Sequence, residues 1–135
     1  MPTILVIGDM SKDIARDKPN LLLWGLVGQI VDADLNASYR IAGYAEDIGI
    51  QGLAYRLAKV KRFDTISFEV LGPAPDKAFP VKERMVLNTP SELEKAIFME
   101  CDFLVRVGGD EASKALASKF ATAKGLDKVK ETDFP

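Results

Sequence analysis

The densest set of residues able to do chemistry lies between Phe103 and Gly125. A short apolar run ends in Gly108-Gly109, Asp110 and Glu111 follow at once, and Ser113 stands one turn into a helical pattern. Paired glycines between a strand and a helix leave backbone amides open to a ligand, and the helix N-terminus adds a field that favours an anion. Two carboxylates in that same turn oppose such a use, because they repel a phosphate unless they point away from it. Two readings stay open for Asp110 and Glu111: ordinary helix capping, or acceptance of hydrogen bonds from ribose hydroxyls together with general acid or base work. Ser113 would supply a further hydroxyl. The chain has no histidine and one cysteine, Cys101. This removes an internal disulfide, most zinc ligand sets and every histidine-dependent triad. Catalysis, if present, must use carboxylate, Lys, Arg, Tyr or Ser groups. Arg84 reads either as a solvated charge or as a clamp for a ligand carboxylate or phosphate. Tyr44 and Tyr55 are candidates to stack on a base, whereas Trp24 among leucines reads as core. Cys101 reads as a small buried hydrophobe. Asp32 and Asp34 lie two apart on a helical stretch and so diverge, which favours solvation over metal binding. Neither a metal nor a cofactor is expected.

The composition limits what these residues can serve. At 135 residues, 47% hydrophobic and 28% charged, the chain is one domain with a real core. A net charge of -2 gives no basic footprint, so a nucleic-acid partner is not expected. The longest apolar stretch, Leu21 to Val31, is interrupted by Gly25, Gly28 and Gln29 and is too short to span a bilayer. The N-terminus reaches Asp9 too early for a signal peptide. A cytoplasmic protein without membrane contact is the expectation.

The elements that must position these groups alternate between strand and helix. Thr3 to Gly8 is a continuous β-favouring run suited to the centre of a parallel sheet, with Gly8, Asp9, Met10 and Ser11 as its turn. Leu23, Leu26, Val27, Ile30 and Val31 follow helical spacing, with Pro19 in the first turn. Gly25 and Gly28 weaken that helix, which suggests close packing or ligand approach. Tyr39 to Gly43 reads as a strand, and Tyr44 to Gly49 as a turn. A helix follows with Ile50, Leu53, Ala54, Leu57 and Ala58 on its buried face and Gln51, Tyr55, Arg56 and Lys59 on the other. Asp64 to Leu71 is a third strand, leading into a loop with Pro73, Pro75 and Pro80. Thr89-Pro90-Ser91-Glu92 is a capping box that opens a helix running to about Glu100. A strand over 102–107 and a helix over 110–124 complete the series. The pattern predicts an α/β fold: a three-layer αβα Rossmann-like domain with a mainly parallel, doubly wound sheet. Residues 1–125 form the domain, and 126–135 read as a charged tail. In such a sheet ligands sit beyond the carboxyl ends of the strands. Gly8 to Ser11, Gly43 to Gly52 and Gly108 to Ser113 reach that edge.

The order of parts resembles the SLOG group of nucleotide-binding Rossmannoid proteins. The resemblance rests on the Gly/Ser turn after the first strand, on Gly43-x5-Gly49-Ile50-x-Gly52-x-Ala54, on Glu83-Arg84-Met85, and on a strand ending in Gly108-Gly109. It spans residues 3–125. The group includes the Lonely Guy phosphoribohydrolases, proteins once described as lysine decarboxylases, and molybdenum-cofactor carriers. The resemblance implies that Gly8, Asp9, Met10, Ser11, Gly43 and Gly49 line a nucleotide site together with Gly52, Gly108, Gly109, Asp110 and Ser113. It also implies a homodimer. In the family a Pro-Gly-Gly-x-Gly-Thr-x-x-Glu signature binds the phosphate and ribose of a nucleotide, its Glu and an upstream Arg serve hydrolysis of the N-glycosidic bond, and Arg84 stands in the place of that Arg. The signature itself departs: Glu111-Ala112 stands for Gly-Thr, Lys114-Ala115 for the acidic pair, and Val107 for the proline. The implied function is therefore binding of a nucleotide or nucleoside without the standard catalysis. The alternative is an N-glycosidic-bond hydrolase or transferase using Arg84 with Glu111 or Asp110. Asp9 at the first strand end also fits a receiver-like domain, but Gly72 stands where that fold needs its phosphoacceptor.

Overall fold

A computed structural model describes residues 1–11, 17–34, 36–73 and 78–134. The elements run β1 (Thr3–Gly8), α1 (Asp17–Val31), β2 (Arg40–Gly43), α2 (Gly49–Lys61), β3 (Asp64–Val70), β4 (Glu83–Leu87), α3 (Pro90–Glu100), β5 (Phe103–Val107), α4 (Glu111–Lys124) and β6 (Val129–Thr132). The six strands form one sheet in the order β4-β3-β2-β1-β5-β6, and every pairing is parallel. β1 lies between β2 and β5 and is buried along its whole length, as its unbroken apolar run requires. The chain winds outward from β1 to β4 and then returns to β5 on the other side, so the winding reverses between β1 and β5. That reversal is where open α/β sheets form their ligand crevice.

Parallel strands need crossovers, and the four helices cover both faces. On one face Ile4, Val6, Ile41 and Val105 pack under Leu23 and Val27 of α1 and Leu57 of α2. On the other, Leu5, Ile66, Phe68 and Leu104 pack under Ile97 of α3 and Phe120 of α4. The three-layer, doubly wound architecture is the one the alternation predicted. α3 starts with Thr89, whose hydroxyl accepts the Glu92 N–H at 3.2 Å, and Glu92 reaches back to the Asn88 N–H at 3.1 Å. Cys101 is fully buried, and burial pushes its thiol up to about 12.

Four expectations differ from the fold. β4 was not legible: only Met85 and Leu87 turn toward the core, while Arg84 and Val86 face outward on an edge strand. Residues 126–132, expected in a charged tail, form a 3-10 turn and β6. β6 buries only Val129 well, pairs in parallel with β5 and is tied further by Arg106. That guanidinium, 5% exposed, pairs with Glu131 at 2.8 Å and Asp133 at 3.0 Å and donates to the Gly108 carbonyl at 2.8 Å. Gln51 and Tyr55, placed on the solvent face of α2, are buried against the sheet. Gly43 makes this possible, because a Cβ there would overlap the Gln51 amide. Gly25 meets open space rather than a packed neighbour. Pro75 lies outside the described residues.

Candidate functional site

The carboxyl edge of the sheet begins at the turn after β1. Asp9 donates its N–H to the Val107 carbonyl at 3.0 Å, and its own carbonyl accepts the Ile50 N–H at 2.8 Å. The turn is thus stitched to both β5 and α2. Gly49 sits in the left-handed region at φ 52°, and a Cβ there would overlap the Asp9 carbonyl oxygen. Only glycine permits that approach. The Asp9 carboxylate accepts the Ser11 N–H at 2.7 Å. Across the reversal, Asp110 is the N-cap of α4. Its Oδ1 accepts the Ser113 N–H at 3.0 Å and the Ser113 hydroxyl at 3.2 Å, and the first of these bonds holds the carboxyl below the ordinary Asp range. Glu111, with 93% of its side chain exposed, turns away to pair with Lys114 at 3.5 Å. A crevice of about 410 Å³ lies here, lined by Asp9, Met10, Ser11, Gly109, Asp110 and Phe134. A narrower notch of about 240 Å³ runs beside it, between Gly8, Asp110, Ser113 and Tyr44.

A larger cleft of about 680 Å³ opens at the carboxyl ends of β2, β3 and β4. Tyr44, Phe68, Val86 and Leu93 give it an apolar lining, and Glu69 and Arg84 give it a polar one. Parallel register places Arg84 beside Ser67. From there its guanidinium grips Glu69 with two bonds, at 2.7 and 2.6 Å, while Ser67 Oγ donates to the same carboxylate at 3.0 Å. Arg84 is the main reason that the Glu69 carboxyl sits below the ordinary range, and Ser67 adds to it. Glu69 is mostly buried, with 13% of its side chain exposed, and Arg84 is half exposed.

Tyr44 borders both the notch and the large cleft. Its peptide is clamped from both sides by α2: Gln51 Oε1 accepts its N–H at 2.8 Å, and the Tyr55 hydroxyl donates to its carbonyl at 2.6 Å. Burial pushes the Tyr55 hydroxyl well above the ordinary tyrosine range. The Phe79 ring stacks on Tyr55 with centroids 5.0 Å apart, and the Phe79 N–H reaches the Ala45 carbonyl at 3.1 Å. The loop entering β4 is thereby fastened to the turn that carries Tyr44. Gln51 Nε2 is buried without a hydrogen-bond partner.

Gly8, Asp9, Met10, Ser11, Gly109, Asp110 and Ser113, all expected near one edge, do gather around the crevice and its notch. Gly43 and Gly52 serve packing instead, the first beneath Gln51 and the second beside the Asp47–Arg56 ion pair. Gly108 donates its N–H to Thr132 O at 2.9 Å and so ties the turn to β6. Arg84 and Glu111 do not meet: Arg84 lines the large cleft, and Glu111 lines none of these depressions. Glu69 is the polar residue that sequence reasoning missed. The Ser67-x-Glu69 alternation puts both on one strand face, but only strand pairing reveals their partner. Among the described residues no group of acidic and cysteine side chains is placed to hold a metal ion, and no helix is long and apolar enough to cross a membrane.

No protein-family model matches the sequence, and no curated protein matches it. Solved structures do. The molybdenum cofactor carrier protein MCP from Chlamydomonas reinhardtii matches over 97% of this chain and 89% of its own, with a TM-score of 0.65 and 21% identity. A second structure of that carrier gives a TM-score of 0.67 at the same identity, covering 97% and 88%. The X-ray structure of TM1055 covers 96% of this chain and 72% of its own, with a TM-score of 0.64 and 14% identity. The chain shares with these structures a three-layer Rossmann-like fold. At these identities the likeness is one of fold. On that fold this chain carries the crevice at the winding reversal and a second, larger cleft at the ends of β2, β3 and β4.

Proposed function

We propose that the chain binds a nucleotide- or nucleoside-like small molecule at the carboxyl edge, with the planar ring against Tyr44, and that it lacks the hydrolysis common in the family it resembles. The observation that carries this reading is the position of Tyr44. Its ring borders both the large cleft and the notch at the winding reversal, and its peptide is clamped by Gln51 and Tyr55. A cleft of about 680 Å³ suits a small organic ligand, and a pre-positioned aromatic ring is a stacking platform. The fold shared with a molybdenum cofactor carrier supports a binding role over a catalytic one.

The places of the acidic groups support the reading without the standard catalysis. Glu111 turns to solvent, Asp110 caps its own helix, and Arg84 is neutralised by Glu69. A hydrolase using Arg84 with Glu111 or Asp110 would need these groups at one reacting bond, but Arg84 lines the large cleft, Asp110 the crevice and its notch, and Glu111 none of the three. A homodimer in the cytoplasm accompanies the reading, and its mass in solution is measurable by light scattering. The test is to incubate the purified chain with nucleosides and their 5'-monophosphates while following thermal shift and release of free base. A raised melting temperature without free base supports the proposal. Release of base overturns the non-catalytic half, and no shift with any compound overturns the binding half.

A further inference from the structure

Resting on the reading of the large cleft as the ligand site, we infer that Arg84 is its specificity-determining residue and that the ring it selects is an oxopurine, with a carbonyl oxygen beside a ring nitrogen. Glu69 holds only part of the guanidinium. Its Oε2 accepts from Nε at 2.7 Å and its Oε1 from Nη2 at 2.6 Å. Both bonds lie on one side of the fork, and the end formed by Nη1 and Nη2 keeps an N–H on each nitrogen. Arg84 borders the cleft with half of its side chain exposed, whereas Glu69 is mostly buried and is steadied by Ser67 Oγ at 3.0 Å. The guanidinium plane is therefore fixed by a partner from the adjacent strand. A fork held in place loses less freedom when a ligand arrives than a free one does.

Two parallel donors match two adjacent acceptors. A carboxylate or phosphate supplies such a pair, and so do O6 and N7 of a guanine-type base. The Glu69 carboxylate decides between them, because it offsets the Arg84 charge and stands at its side, so an anion at the same end meets attraction and repulsion together. A ring carbonyl and a ring nitrogen take both donors and bring no net charge. The faces of that ring are served by the same cleft, whose lining includes Tyr44, Phe68, Val86 and Leu93. An adenine-type ring presents an amino donor beside N7, which sets a donor of the ligand against a donor of Arg84. The cleft thus offers apolar surface to the faces of a ring and a paired donor to one edge.

Isothermal titration of the full chain with guanosine, inosine, 7-deazaguanosine and adenosine tests this. Guanosine and inosine share O6 and N7 and differ in the exocyclic amino group, so both are expected to bind about 5- to 150-fold more tightly than adenosine, the range that one good bidentate contact gives. 7-Deazaguanosine keeps the carbonyl and loses N7, and it should fall most of the way to adenosine. Arg84→Lys keeps a positive charge without the planar fork, and Arg84→Met removes both. Each substitution should bring the ratio of guanosine to adenosine affinity close to one. Adenosine bound as tightly as guanosine and inosine by the native chain, 7-deazaguanosine bound as well as guanosine, or a ratio that Arg84→Lys preserves, overturns the inference and leaves the small-molecule reading standing. Failure of all four compounds also overturns it, and the binding reading falls with it only when no nucleoside monophosphate shifts the melting temperature either.

Discussion

The crevice between β1 and β5 and the cleft above β3 and β4 share one edge of one sheet, yet they satisfy their polar groups differently. In the crevice the backbone is bonded largely to itself, Asp9 to Val107 and Ile50 and Gly108 to Thr132, and the Asp110 carboxylate takes the Ser113 N–H. In the outer cleft the backbone recedes, and side chains carry the polarity, with Glu69 and Arg84 joined across strands beneath an apolar lining. The glycine-rich side serves the integrity of the fold, whereas the side-chain-built side is free to meet a ligand. Tyr44 belongs to both, because its peptide is tied to α2 and its side chain, partly packed on the Leu5–Phe120 core, borders both depressions.

Substitutions should separate the two sides by phenotype. Gly49→Ala forces a side chain into the left-handed region and onto the Asp9 carbonyl, and should cost ~3 kcal/mol or more in urea unfolding. An unchanged midpoint would mean that the β1 turn and α2 part freely. Tyr44→Ala should act on the other property: loss of ring stacking, worth ~1–3 kcal/mol per base, weakens ligand binding about 5- to 150-fold, with a smaller stability cost than Gly49→Ala. Equal losses of stability and binding would erase the distinction. Asp110→Ala removes a cap and should cost ~1 kcal/mol, whereas Asp110→Asn should cost a few tenths at most. Thermal melts of the pair decide between capping and a purely ligand-directed role.

The smallest effect concerns pH. Glu69 is held below the ordinary carboxylate range in the folded chain, so its contribution is complete above the unfolded value and fades as pH falls through the lowered folded value. The pair is half exposed through Arg84, so that contribution is ~1 kcal/mol or less. Native chain and Glu69→Gln should therefore differ in urea midpoint near pH 7, and the difference should shrink as the pH falls below the ordinary carboxylate range. A difference that persists in acid would place the effect in packing rather than charge.

Much of the frame could be read from residue patterns. The buried run Thr3–Gly8, the helical spacing of α1 and α2, the capping box at Thr89 and the glycine-to-helix passage at Gly108 are local signals, and each formed as its pattern implied. β4 and β6 were hidden because edge strands carry little apolar sequence, and their places depend on partners 17 to 25 residues away, such as Ser67 for Arg84 and Arg106 for Glu131. The site followed the same division. Glycines announced the crevice. The Glu69–Arg84 pair stayed silent, since nothing in the spacing of two charges 15 residues apart reveals strand register. Gln51 and Tyr55 were misplaced because helical periodicity assigns polar atoms to water, and it does not register a neighbouring glycine that leaves room for an amide.

Arg106 has a consequence for how the molecule is completed. Its guanidinium is sunk in the penultimate strand, and both of its carboxylate partners arrive only with Glu131 and Asp133. Without β6, Arg106 would keep the Gly108 carbonyl alone among these partners. β6 thus acts as a latch on β5, because both carboxylates that meet the guanidinium come with it. Clipping that segment should leave a sheet of nearly the same shape that opens far more readily, with the loss beginning at β5 and spreading to the turn that bears the paired glycines.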